Sequence, residues 1–167
     1  MKKKRVLGID SDSFHIGWFL ADADRSVPEY GTINLGGRSM TFDQRIEIAI
    51  VQVRGLLLGE GPDVVAVELP YLGLNVQTTI KLAQIVGIIR ALAWVSVAEF
   101  IGFQPAEGKM ALSSNGRATD DEMVSAMRMV LLGEFGLDVD ESLLDPHMAH
   151  AMGGFEFAKA ELWRRSL

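Results

Sequence analysis

The sequence predicts an α/β fold in which a mixed five-stranded sheet, three antiparallel strands followed by two parallel ones, is flanked by helices. Short apolar runs rich in β-branched residues alternate along the chain with longer segments of helical apolar spacing. Chains that alternate in this way build a sheet covered by helices. Because the chain has 167 residues, of which 49% are hydrophobic, we expect a single domain over residues 1–167.

The first three apolar runs predict an antiparallel meander. Residues 5–10 form a run that ends in a carboxylate, and residues 16–21 form a second run beyond the turn at residues 11–13. Residues 29–35 suit a pleated surface and are followed by two glycines. Each run is therefore predicted to be a strand.

The rest of the chain predicts helices that alternate with two further strands. Residues 64–69 are almost wholly apolar, as expected of a central parallel strand buried on both faces. Residues 78–97 predict a long, well-buried helix. The remaining predicted elements are a strand over residues 100–104, helices over residues 41–58, 119–132 and 145–162, and loops over residues 107–116 and 133–144.

The net charge argues against a general attraction to polyanions. The chain has 22 acidic and 16 basic residues, which give −6, whereas non-specific nucleic-acid affinity comes mainly from Lys and Arg. Local basic clusters could still form a rim around an acidic site, although such clusters are also ordinary solvated surface. These clusters are residues 2–5, Arg38 with Arg45, and Arg164-Arg165.

Composition excludes several further classes of protein. With no cysteine there is neither a disulfide framework nor a thiolate metal site, so any metal must use oxygen or imidazole ligands, which favours Mg²⁺ or Mn²⁺. Asp10 interrupts any signal-peptide core, and the apolar stretch at residues 85–97 contains Arg90 and is too short to cross a bilayer. We therefore expect a cytoplasmic protein without a membrane span.

Two carboxylates at strand ends are the first candidate site residues. Asp10 and Glu68 each close an otherwise apolar strand, where an unpaired charge is costly. If the two strands are neighbours, both side chains could project from one edge and bridge divalent cations. The competing interpretation is that each residue only ends its strand and caps a turn.

The second candidate group is a histidine pair at the start of the last helix. Asp145-Pro146 is a typical helix start, which places His147 and His150 on one face of the first turns. Imidazoles at this interval can ligate one metal. Ordinary surface or core histidines, with Asp145 acting only as a cap, remain the alternative. Asp12 also lies near Asp10 and is either an added charge or a turn residue.

Four motifs follow one another over nearly the whole chain: Val6-Leu7-Gly8-Ile9-Asp10 with Gly17-Trp18; Val67-Glu68-Leu69-Pro70-Tyr71 with Asn75, Lys81-Leu82-Ala83-Gln84 and Gly87; Gly116-Arg117-Ala118-Thr119 with Asp121-Glu122-Met123-Val124; and His147-Met148-Ala149-His150-Ala151. In this order they resemble RuvC-type Holliday junction resolvases of the ribonuclease-H-like superfamily, including small phage-borne members. A Gly-Ile-Asp strand alone also opens actin-like ATPases, so the ordered set carries the resemblance.

The resemblance implies a homodimer, in a bacterial or phage-infected cell, that binds a four-way DNA junction and nicks it by hydrolysis with two divalent ions, Mg²⁺ or Mn²⁺. The implied metal ligands are Asp10, Glu68, His147 and His150. Lys109 takes a basic catalytic position near the scissile phosphate. The implied nucleic-acid contacts are Tyr71, Asn75, Lys81 and Arg117, although a core ring beside Pro70 is an alternative for Tyr71.

Two positions depart from the family pattern. The last ligand is usually Asp, where this chain has His150, and the helix near Thr119 usually presents a Lys, where this chain has Asp120. A neutral imidazole removes one negative charge from the site and disfavours Mg²⁺ relative to Mn²⁺. Asp120 places a negative charge where the family's Lys would stabilise the negative charge of the transition state.

The sequence therefore supports two functions of different classes. The first is a metal-dependent junction endonuclease, and the second is a catalytically weak or inactive relative that binds branched nucleic acid or a protein partner. An actin-like ATPase would need two such domains and a glycine-rich phosphate loop, which the 167 residues do not offer.

Overall fold

The computed structural model describes residues 4–23, 27–71 and 75–167. Within them the strands form a five-stranded sheet in the order β3-β2-β1-β4-β5. In chain order the elements are β1 (Arg5–Ser11), β2 (His15–Asp22), β3 (Glu29–Asn34), α1 (Phe42–Glu60), β4 (Val64–Glu68), α2 (Val76–Val95), β5 (Glu99–Phe103), α3 (Pro105–Ser113), α4 (Asp120–Phe135), a 3-10 helix (Glu141–Leu143) and α5 (Pro146–Arg164).

The strand pairing confirms the predicted mixed sheet. β2 pairs antiparallel with both β1 and β3, whereas β4 pairs parallel with both β1 and β5. Successive side chains of a strand point to opposite faces. In β1, Val6 therefore packs with α4 and α5, while Leu7 and Ile9 pack with α1 and α2. The sheet is covered on both faces, and Asp10 belongs to the face that α5 covers.

Two glycines let α5 lie directly on the strands. A Cβ on Gly8 would come within 2.0 Å of the carbonyl oxygen of Ala151, and one on Gly17 within 2.2 Å of that of His147. Only a residue without a side chain permits this approach. The first turns of α5 are consequently held against β1 and β2, beside the end of β1.

The predicted loop over residues 107–116 is wrong, because most of it is α3. This helix begins with Pro105 in its first turn and a capping box in which Glu107 accepts from the backbone N–H of Gln104 at 2.7 Å. Gly108, which suggests a break in the sequence, is a packing position where a Cβ would come within 2.7 Å of the Phe103 ring. A nine-residue helix with little apolar periodicity gives a weak sequence pattern.

The second predicted loop, over residues 133–144, is shorter than expected. α4 continues to Phe135 and ends at Gly136, whose φ of 69° is the left-handed conformation that glycine favours at a helix end. A three-residue 3-10 helix, Glu141–Leu143, capped by Asp140, forms part of the remainder.

α2 is less buried than predicted. Its buried residues are confined to one stripe, and Ile80 and Val95 are exposed. α2 has 20 residues and is therefore longer than the apolar stretch at residues 85–97, which by itself is too short for a membrane span. By length and composition alone α2 could cross a bilayer. A helix that covers a sheet meets the same criteria. The buried stripe consists of Ile85, Val86, Ile89 and Ala93.

Candidate active site

Asp10 and Glu68 lie side by side at one edge of the sheet. β1 and β4 are parallel neighbours with Ile9 opposite Val67, so the carboxylates follow at the same level. Both side chains face α5 and are mostly buried, with 13% and 19% of their surfaces exposed. Two buried carboxylates on adjacent strands are unfavourable unless a positive charge lies between or beside them.

The first turns of α5 bring both histidines to these carboxylates. His147 Nδ1 lies 3.0 Å from Asp10 Oδ2, within hydrogen-bonding distance. His150 Nδ1 lies 3.8 Å from Glu68 Oε2, too far for a hydrogen bond. The structure thus gathers all four residues that the sequence suggested as metal ligands.

His150 also contacts Asp120, so the two positions that depart from the family pattern meet in space. Asp120 is the first residue of α4, and its Oδ1 lies 3.1 Å from His150 Nε2. Because a carboxylate only accepts, Nε2 carries the proton in this contact. The other ring nitrogen faces Glu68. His150 therefore connects the rim of the site to its buried carboxylate.

The site is electrostatically coupled. Burial raises the pKa of Glu68, and Asp10 adds to the effect. Burial alone would lower the pKa of His150, but the surrounding Glu68, Asp10 and Asp120 outweigh it and raise the pKa to about 9. The hydrogen bond with Asp10 raises the pKa of His147. Without a metal, the carboxylates thus favour the protonated forms of both imidazoles.

The donor set fits a divalent cation. Within the described part of the chain, Glu68 Oε2 is buried and accepts no hydrogen bond, an unfavourable state for a carboxylate oxygen unless a cation meets it. Two carboxylates and two imidazoles are ligands that Mn²⁺ accepts readily and Mg²⁺ less so. The residues present could hold a metal through Asp10, Glu68, His147 and His150.

Asp145 does not reach into the site as a further ligand. One of its oxygens accepts the backbone N–H of Met148 at 2.9 Å, and the other accepts the hydroxyl of Thr32 at 2.6 Å. It therefore acts as the N-cap of α5, the alternative that the sequence left open.

The β1–β2 turn contributes residues beyond the four predicted ones. Asp12 Oδ2 lies 3.6 Å from His147 Nε2, and the ring of His15 stacks on that of His147 with their centroids 5.2 Å apart. His15 is not among the candidates expected from the sequence. The only local pattern that could have found it is an Asp three residues before a His, which is not diagnostic.

Lys109 lies on α3, beside the site rather than in a loop. Its Nζ donates to the carbonyl oxygen of Ala118 at 2.7 Å, which ties α3 to the start of α4. Its charge slightly opposes the raised pKa of Glu68. Lys109 is thus near enough to influence Glu68 electrostatically.

The four suggested nucleic-acid contacts lie in the segment after β4, in α2 and in the turn before α4. Tyr71 is 73% exposed, so it is not a core ring. Asn75 caps α2 through its side chain, and Lys81, in the same helix, lies with its Nζ 5.6 Å from the centroid of the Phe42 ring. Arg117 is exposed in the turn before α4.

Several described residues of the basic clusters are engaged in contacts within the protein. Arg45 is buried and donates to the carbonyl oxygens of Ser13 and Met40, so its role is structural. Arg165 pairs with Glu99, as does Lys4. Residues 2 and 3 lie outside the described part of the chain.

Comparison with known proteins decides the family. The model of the family described as crossover junction endodeoxyribonuclease RuvC matches residues 6–138. The chain belongs to the RuvC family. The matched segment contains Asp10, Glu68 and Lys109 but ends before α5, which carries the two histidines.

RuvC relatives cover much of the chain. The crossover junction endodeoxyribonuclease RuvC of Magnetococcus marinus is 33% identical over 133 residues, which are 76% of this chain and 72% of that protein. The RuvC of Chloroherpeton thalassium is 27% identical over 164 residues and covers 92% of this chain and 88% of its own length. The family likeness therefore extends towards the C-terminal helix.

Solved structures confirm the RuvC fold. Thermus thermophilus RuvC in complex with a Holliday junction substrate superimposes with a TM-score of 0.78 at 20% identity and covers 98% of this chain and 96% of that one. The yeast mitochondrial Holliday junction resolvase Ydc2 gives 0.65 at 14% identity, covering 97% and 83%. The five-stranded mixed sheet is thus that of the ribonuclease-H-like proteins expected from the sequence.

Proposed function

We propose that this chain is a divalent-metal-dependent endonuclease that nicks four-way DNA junctions. The observation that carries the proposal is the convergence of Asp10, Glu68, His147 and His150 at one edge of a RuvC-family sheet. Relatives named as crossover junction endodeoxyribonucleases, and a RuvC structure that holds a Holliday junction, support the substrate class. Such an enzyme would act in the cytoplasm, where DNA is accessible.

Asp10, Glu68, His147 and His150 would hold the metal, with two ions per site in the family's manner. Bound divalent metal supplies an activated water and stabilises the leaving oxygen, so no protein nucleophile is needed. The chain contributes the buried carboxylates that neutralise the ions, and α5 fixes the two imidazoles beside them. Because imidazole replaces a carboxylate at position 150, we expect Mn²⁺ to support activity better than Mg²⁺.

Asp120 has the position of a residue that orients a metal ligand. Its Oδ1 accepts the Nε2 proton of His150, which leaves Nδ1 as the nitrogen that faces Glu68. Carboxylates in this arrangement fix the tautomer of a ligating histidine and raise its basicity. Asp120 would in this way restore part of the negative charge that the site lacks because it has His150 in place of an Asp.

Lys109 and the surrounding surface would bind the DNA. Lys109 is close enough to Glu68 to act on it electrostatically, and there its charge would stabilise the scissile phosphate. The exposed ring of Tyr71 would stack on or wedge against bases at the branch. Asn75 and Lys81 on α2, together with Arg117, would contact the backbone.

We further propose a homodimer built on α2. The exposed side of this helix carries small and apolar residues at intervals of three or four, which places them on one face. Small residues let two helix backbones approach closely, and a Cβ on Gly87 would meet no described atom within 4 Å. The residues of this face are Val76, Ile80, Ala83, Gly87, Ala91 and Trp94.

The function is tested by incubating the protein with a synthetic four-way junction and with linear duplex, in Mg²⁺ and in Mn²⁺. We expect paired nicks in the junction, faster in Mn²⁺, and none in the duplex. The same assay on Asp10→Asn, which keeps the side-chain volume, should show junction binding without nicks. Cleavage that persists in Asp10→Asn would contradict the assigned site.

A second candidate function is junction binding without cleavage. The contact between Asp120 and His150 favours it, because Asp120 helps to hold a proton on the imidazole with which a metal must compete. In that case the wild-type chain binds the junction but leaves it intact in both metals. Gain of cleavage in the double variant Asp120→Lys with His150→Asp would then identify this pair as the cause.

A further inference from the structure

A second group of side chains with metal-ligating atoms lies beside the proposed nuclease site. Asp12, His15 and His147 each offer a ligand atom, and these atoms all lie within 4.8 Å of one another. All three side chains are partly exposed, at 44%, 40% and 27%. They can therefore be reached from solvent without opening the core.

Asp12 is held with one carboxylate oxygen turned towards the histidines. Its Oδ1 accepts the backbone N–H groups of Phe14 and His15, each at 2.5 Å. Its Oδ2 is turned instead to imidazole nitrogens, 3.5 Å from His15 Nδ1 and 3.6 Å from His147 Nε2. The turn thus presents one oxygen to two rings.

A buried cation braces this turn. The guanidinium of Arg45 donates to the carbonyl oxygen of Ser13 at 3.0 Å and lies 4.2 Å from the centroid of the Phe14 ring. Arg45 is itself buried in α1. The positions of Asp12 and His15 are therefore fixed by contacts outside the cluster.

His147 has the orientation of a metal ligand towards this cluster. Its Nδ1 donates to Asp10 at 3.0 Å and its Nε2 faces Asp12, so a neutral His147 would offer the Nε2 lone pair to a metal beside Asp12. A ligating histidine usually donates its other N–H to a carboxylate in this way. Asp10 would thus orient His147 for the second cluster.

We propose that Asp12, His15 and His147 form a second metal site that takes a borderline transition dication such as Zn²⁺. Two imidazoles and one carboxylate suit Zn²⁺ or Co²⁺ and disfavour Mg²⁺. Three protein ligands leave a coordination position open to water. Small rotations of the partly exposed side chains bring the ligand atoms to the shorter separations that one ion requires.

This site would inhibit the nuclease, a consequence that rests on the proposed function. With Zn²⁺ on Nε2, the Nδ1–H of His147 would keep donating its hydrogen bond to Asp10. Asp10 is one of the carboxylates needed for the catalytic ions. The two sites therefore compete for the same pair of side chains. Low concentrations of Zn²⁺ should slow cleavage in Mn²⁺.

The binding test uses calorimetric titration of the metal-free protein with Zn²⁺, and the absorption spectrum of added Co²⁺. His15→Asn and Asp12→Asn should each weaken Zn²⁺ binding by at least about tenfold. Asp12→Asn keeps an Oδ1 acceptor for the backbone N–H groups of the turn. It therefore tests the Zn²⁺ site even if His15→Asn does not fold. The matched control is Glu68→Gln, which removes a ligand of the nuclease site and none of the turn cluster, so the Zn²⁺ binding that the two turn variants lose should persist in it.

The opposite pattern overturns the proposal. If Glu68→Gln abolishes Zn²⁺ binding while both turn variants retain it, the ion occupies the nuclease site. Wild-type protein that binds no Zn²⁺ overturns it as well. Zn²⁺ binding is measured without substrate, so its result does not depend on whether the protein is an active nuclease. Where the wild type cleaves, inhibition by Zn²⁺ should be relieved in His15→Asn, and inhibition that persists there contradicts the competition.

Discussion

His150 contacts Asp120 at the rim and faces Glu68 in the interior, so its two nitrogens have different neighbours. A carboxylate at position 150 would repel Asp120, and a lysine at position 120 would repel a protonated His150. The two departures from the family pattern are therefore compatible with each other. We interpret them as one changed contact rather than as two independent losses.

Asp120→Asn tests this contact. An amide accepts a weaker hydrogen bond and carries no charge, so it should weaken Mn²⁺ affinity by about tenfold to a hundredfold, the usual cost of losing such a partner. Asp121→Asn, the next exposed residue of α4, is the control and should leave Mn²⁺ affinity nearly unchanged. Equal affinities for wild type and Asp120→Asn, measured by calorimetry, would refute an orienting role.

The raised pKa of His150 predicts how the stability of the metal-free protein depends on pH. The folded-state pKa is about 9 and the ordinary value 6.5, so the stabilisation is complete below pH 6.5 and is lost as pH rises through 9. The loss should be about 1–3 kcal/mol. Urea denaturation in a chelator at pH 6.5 and pH 9.5 measures it, and His150→Gln should flatten the difference. A wild-type protein more stable at pH 9.5 would contradict the assignment.

At the scale of elements, the contact of α5 with the sheet sets the geometry of the site. Gly8→Ala would drive a methyl group into the backbone of α5 and should destabilise the fold by at least about 2 kcal/mol. Gly55→Ala, in the exposed part of α1 where a Cβ meets no described atom within 4 Å, should instead stabilise it by about 0.5–1 kcal/mol. Thermal or urea unfolding compares the two variants, and equal effects would refute the close approach.

The strand-end carboxylates were predictable, whereas some of their surroundings were not. Asp10 and Glu68 stand out because each ends an apolar strand, and parallel neighbours bring such ends together. α3 was missed because nine residues with a central Gly108 show little periodicity. The approach of His15 to His147 depends on how α5 crosses the sheet, which no local pattern encodes.

At the scale of the whole molecule, the exposed face of α2 predicts the oligomeric state. Ala91→Glu would place a charge within the proposed subunit interface and should convert a dimer to a monomer. Leu58→Glu, on the exposed side of α1, is the control and should leave the mass unchanged. Light scattering after gel filtration gives the mass, and a dimer that persists in Ala91→Glu would place the interface elsewhere.

The proposed function depends on divalent metal binding by Asp10, Glu68, His147 and His150 together. The most direct measurement is an anomalous difference map from crystals of the wild-type protein grown with Mn²⁺. We expect density within coordination distance of the Asp10 and Glu68 carboxylates, with the imidazoles of α5 as further ligands. A map in which Mn²⁺ lies away from both carboxylates, or is missing at a concentration that supports cleavage, would contradict the account.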